Sequence, residues 1–152
     1  MFFKNENKKT RTEFWREYEK NIDEKIFAYS LGRYINGFEE LKTPLWGLLI
    51  VSESGFRFHY FPHETWLQAI SRMSYGGEAQ KEIVIIIPKE KILSSDLFIE
   101  KSFLKKLFLS CPPLFTIHYT NDSGVEYVVN IETVKDSIVL VEYIRRWCTR
   151  QT

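Results

Sequence analysis

The sequence predicts a mainly β, α+β domain: a bent antiparallel sheet of about seven strands, a partly open barrel capped by a C-terminal α-helix, with an extra N-terminal helix. Three observations predict it. Aliphatic and aromatic runs of strand length recur, separated by Gly, Pro, Asn and Ser turn signals. Two pairs of these runs are joined by links of hairpin length, SESG and NDSG, too short for the helical crossovers of a parallel sheet. The last apolar run, VKDSIVLVEYIRRWC, has helical rather than alternating periodicity.

The elements follow in order. Residues 1–9 are polar and read as a disordered terminus, leaving 10–152 as a single domain. Thr10 and Glu13 have the capping-box spacing, and Phe14, Trp15, Tyr18, Ile22 and Ile26 recur at helical spacing, so a helix is expected over about 11–22. KIFAYSLGRY, about 25–34, reads as a strand, and INGFEELKTP as a loop punctuated by Asn36-Gly37 and Pro44. LWGLLIVS and FRFHYF form a hairpin across SESG, where Gly55 is free to take positive φ. The first of these strands is apolar on both faces and belongs mid-sheet. In the second, Phe56, Phe58 and Tyr60 share a buried face, leaving Arg57 and His59 on the face open to contact. An excursion with a short helix at about 64–72, carrying Trp66 and Ile70, leads to the strand EIVIIIP, and KEKILSSDLF supplies another strand. A lysine-bearing helix is expected near 100–109, with Ile99, Phe103 and Leu107 on one side and Leu104 and Phe108 beside them. LFTIHYT and GVEYVVNIE pair across NDSG, and Thr133 with Asp136 opens the last helix, about 133–148.

The chain has 152 residues, enough for one domain to bury a single core. With 44% hydrophobic residues it has the composition of a globular chain rather than a disordered one. A net charge of +1, from 21 basic and 20 acidic side chains, argues against a nucleic-acid binder, which usually carries a basic excess. Two cysteines, Cys111 and Cys148, are too few for a disulfide framework and fit a reducing cytoplasm.

The segments TPLWGLLIVSESGFRFHYF, EIVIIIPKEKI and LFTIHYTNDSGVEYVVNIE before a closing helix resemble the pleckstrin-homology superfold, and more narrowly the bacterial PH-like and GRAM-like domains. The resemblance covers about 25–148 and rests on element order and hydrophobic signatures. It implies a non-catalytic binding module for phosphoinositides, anionic membrane, peptides or proteins. It also implies a ligand site around the first inter-strand loop, here about 35–44. That loop offers Lys42 beside the repelling carboxylates Glu39 and Glu40, with Arg33, Arg57 and His59 nearby.

Other chemistry is thin. His59 and His63 have a metal-pair spacing but are separated by Pro62, so no metal or other cofactor is expected. Cys111 and His118 lie in unlike elements, and no glycine-rich phosphate loop precedes a helix, so no catalytic residue is expected. Lys101, Lys105 and Lys106 form the best basic patch, either a solvated helix face or a surface for anionic membrane or acidic protein. On the last helix Val134, Ile138, Val141, Ile144 and Cys148 make one stripe, and Val139, Tyr143 and Trp147 a second, nearly opposite. The second stripe is expected either to lie under the N-terminal helix or to form a partner or homodimer interface. The expected function is a non-enzymatic binding or scaffolding module acting through protein contacts. A peripheral module for anionic lipid is the alternative, and a small enzyme the third.

Overall fold

The computed structural model describes residues 2–60, 82–109, 111–134 and 137–150, without the side chains of 2–11 and 106. Helix α1 is Phe2–Ile22, and the strands are β1 Ile26–Asn36, β2 Leu45–Ser52, β3 Gly55–Tyr60, β4 Ile83–Pro88, β5 Ile92–Phe98, β6 Leu114–Thr120 and β7 Glu126–Thr133. Helix α2 is Phe103–Phe108 and α3 is Ile138–Arg150. The excursion predicted at 62–80, with its helix, Pro62 and His63, lies outside the described residues.

The described strands form one antiparallel sheet in the order β4-β3-β2-β1-β7-β6-β5. Alternation builds it. Leu49, Phe58 and Ile85 lie across from one another on β2, β3 and β4, and Val51, Phe56 and Ile87 form the next inward row. On β6 and β7 the inward pairs are Phe115 with Ile131 and Ile117 with Val129. These side chains merge into one core. Strand β1, which pairs with both β2 and β7, turns the small residues Ala28, Ser30 and Gly32 inward. A Cβ on Gly32 would come within 2.7 Å of Leu49 and 2.8 Å of Ile131, so a larger residue there would hold the two halves of the sheet apart.

The edge strands β4 and β5 are consecutive in sequence, joined only by the 3-10 turn Lys89–Lys91. The sheet therefore curls until its edges meet at one corner, while no ladder among the described residues closes it. Helix α3 spans the gap, packing on β5 at one side and on β1 and β2 at the other. Arg145 Nε donates to the carbonyl of Ser95 at 3.3 Å, and Tyr143 stacks on Phe27 at 5.5 Å. The predicted open antiparallel sheet with terminal helices is the architecture observed.

Three details differ from the sequence reading. Helix α1 begins at Phe2, not near 11, so the expected disordered segment falls largely inside it. No Gly or Pro interrupts FFKNENKKT, and nothing stops the helix from propagating through Thr10. Helix α3 begins at Ile138 because Thr133 still belongs to β7; its hydroxyl meets Ser137 Oγ at 2.7 Å. Finally, the two stripes of α3 are one face. Leu140, assigned to neither, is fully buried with Val141 and Ile144. At 100° per residue it joins Tyr143 and Trp147 to Ile144 and Cys148 in one arc of roughly 160°. Ile138 and Val139 fall outside that arc and are exposed. Trp147 is half-buried at the core margin. Trp147→Ala is accordingly expected to cost about 1 to 3 kcal/mol, short of the full price of deleting a buried aromatic. Thermal unfolding checks this, and an unchanged Tm would remove Trp147 from the core.

Candidate functional site

The residues expected to gather around the first inter-strand loop do not converge. Arg33 and Arg57 both point from the outer face of the sheet. Arg57, however, shares a row with Ile50 and Tyr29, four residues along β1 from Arg33, about 13 Å away. Arg33 is paired with Glu132 at 3.2 Å, and Lys42 is exposed in the loop. The loop end is acidic: Tyr127 Oη donates to Glu39, and the Tyr119 phenol is pushed up to about 12 by burial and by Glu40 and Glu39. An anionic headgroup would meet these carboxylates first.

Arg57 and His59 are not the open face. Helix α1 lies over them, and both side chains are largely buried. Strand alternation placed them outward correctly, but a helix far away in sequence supplies the cover. Tyr18 meets His59 Nδ1 at 2.6 Å, while Glu82 sits on His59 Nε2. The Glu82 carboxylate can only accept, so Nε2 keeps its proton and donates to it, and Nδ1 accepts from the Tyr18 hydroxyl. Beside this chain Glu24 accepts from Ser52 Oγ at 2.6 Å and Ser54 Oγ at 2.8 Å, and pairs with Arg57 at 3.7 Å. Trp15 stacks on Tyr29 at 4.0 Å. The network thus fastens α1 and its exit turn to the sheet.

Its charges set a pH dependence. Burial holds the His59 pKa below the ordinary 6.5, outweighing the opposing pull of Glu82. Burial alone would raise Glu24, but the hydrogen bonds from Ser52 and Ser54 and the Arg57 charge bring it below 4.5. In both cases the unfolded chain takes up a proton more readily than the folded one. Stability contributed by neutral His59 is present above 6.5 and lost as pH falls below it; that of ionised Glu24 is lost at still lower pH. Tm is expected to fall between about pH 8 and about pH 5, with a shallower fall in His59→Gln. A Tm that rises on acidification would contradict the arrangement.

The second concentration of unusual side chains is the link between β5 and β6. Ser102 caps α2, accepting from the Lys105 amide at 3.4 Å, and Cys111-Pro112-Pro113 ends the segment. The apolar side of this helix does not reach the core. Phe103 is 75% exposed, Leu104 66%, Leu107 61% and Phe108 77%, and Phe98 and Leu109 are exposed beside them. Lys101 and Lys105 are exposed among them, and Lys105 pairs with Glu100 at 3.8 Å. The side chain of Lys106 lies outside the described residues.

No family model matches this chain, and no curated protein is found to match it.

The other expected residues are dispersed. Val139 borders a hollow of about 380 Å³ with Trp15, Phe27 and Tyr29. Trp147 borders another with Phe27, Lys89 and Arg150. His118 lies on β6 opposite Val128 and Ser94, while Cys111 sits before that strand with its thiol toward the carbonyl of Lys105 at 3.9 Å. Among the described residues no three His, Cys, Asp or Glu side chains converge as a metal ion requires. No described helix is long and apolar enough to cross a membrane. The sequence reading set Lys101, Lys105 and Lys106 apart as a basic patch and gave the apolar residues between them no role. The available signal was their number: two apolar ridges on so short a helix exceed what one packed face can bury.

Proposed function

We propose that this chain is a non-catalytic binding module of the PH-like kind that works by surface contact. The interior is a filled aromatic and aliphatic core, and the sheet curls round it under α3. The single observation that carries the reading is the apolar tip between β5 and β6, where several large side chains stand in water on one short element. Soluble proteins seldom leave such a contiguous patch uncovered unless it meets a partner. The outer-face residues Arg57 and His59 are already engaged by Tyr18, Glu82 and Glu24, and the tip carries the most exposed large apolar side chains among the described residues.

The test is partitioning in cell extract. The full chain is compared with Phe103→Ser/Phe108→Ser by native size fractionation and by pelleting. The parent chain is expected in a large or pelletable fraction, and the variant in the fraction of free chain with an unaltered Tm. Identical partitioning of the two would refute the docking role of the tip.

A further inference from the structure

Resting on that reading, we infer that the tip formed by Phe98 and 103–109 inserts into the interfacial layer of an anionic lipid bilayer, with Lys101 and Lys105 on the headgroups. Three observations converge. First, every described side chain from 103 to 109 is exposed, so the element projects and offers no groove for a complementary ridge. A fluid bilayer accepts such a shape without matched packing. Second, the composition is that of an interfacial segment: Phe and Leu supply the apolar part and lysine the rest, so each can settle at its own depth. Lysine stems also reach headgroups while their carbons follow the apolar side chains inward.

Third, the charge is complementary. Between Phe98 and Pro112 stand three lysines and one acid, Glu100, a net +2 in a chain that is otherwise nearly balanced. Glu100 is turned inward: it accepts from the Ser102 amide at 3.0 Å and faces Lys105, and its side chain is only 19% exposed. The surface that approaches a membrane is therefore cationic. The acidic end near Glu39, Glu40 and Tyr127 belongs to the β1–β2 loop and is not part of the tip. The surface requires no headgroup pocket, so phosphatidylserine suffices and an inositol polyphosphate is not required.

The experiment uses the full chain with vesicles of phosphatidylcholine alone and of phosphatidylcholine with about a third phosphatidylserine. Co-sedimentation is expected with the anionic vesicles, weakening as salt rises. Phe103→Ser/Phe108→Ser is expected to lose at least about tenfold in binding. Lys101→Gln and Lys105→Gln are each expected to lose about fivefold. Failure of the parent chain to bind anionic vesicles overturns the inference. If the same variant still changes partitioning in extract from which membranes have been removed, the binding-module reading stands with a protein as partner. If it changes nothing, both fall. A concentration-dependent dimer that the variant splits, without vesicle binding, assigns the tip to a second copy. A Tm several degrees lower in the serine variant places the tip under another part of the chain. Either result overturns the inference.

Discussion

Phe58→Ala is expected to lower the stability of this domain by about 3 to 5 kcal/mol, the largest effect of any single side chain considered. Phe58 is completely buried in the row of Leu49 and Ile85, with the rings of Tyr34 and Phe38 at 6.0 and 6.2 Å. Gly47 sits beneath it, where a Cβ would approach the ring to 2.7 Å. The ring therefore fills a site bounded by two strands and the β1–β2 loop. The backbone below cannot rise to close the void, because β2 is pinned between β1 and β3. Denaturant titration measures the loss. A change below about 1 kcal/mol would mean that the curled sheet does not enclose this interior.

Gly37→Ala is expected to cost about 2 kcal/mol or more. Gly37 has φ +116°, in the region that side chains rarely enter, and a Cβ there would overlap the carbonyl of Val128 on β7. The strain falls on a loop with a packing duty. Phe38 and Leu41 are buried, and the Tyr34 hydroxyl accepts from the Phe38 amide at 2.9 Å and donates to the Leu41 carbonyl at 3.0 Å. Displacing Gly37 therefore disturbs the lid over Phe58 as well as the turn. Near-parental stability in Gly37→Ala would show that the loop is not held this way.

These sites also mark what the sequence allows to be read. The strands were legible because Phe56, Phe58, Phe115 and Ile117 alternate with polar or smaller neighbours, and because Gly55, Pro88 and the Asn121 to Gly124 turn fix where pairing stops. The inward role of Phe38 and Leu41 was not legible, since a loop has no period; they are held by contacts from afar, among them the Tyr34 hydroxyl reaching across the loop and the Tyr119 hydroxyl on the Gly37 carbonyl. Arg57 and His59 show a different limit. A strand's own alternation tells which face a residue occupies, and the cover on that face comes from Tyr18, 41 residues away from His59. The helix near 100–109 shows a further limit. Its periodicity was read correctly as helical, but periodicity cannot tell whether a face meets the core or projects from it. Leu140 was overlooked because two narrower stripes on α3 seemed complete without it, though it lies between them at the centre of the buried arc.

The most direct test of the tip as docking element is amide hydrogen exchange on the full chain with and without phosphatidylserine-containing vesicles. Slowed exchange confined to about residues 98–110, with β2 and β3 unchanged, is the predicted result. Protection centred on the β1–β2 loop or on the outer face around Arg57, with none at the tip, would contradict it.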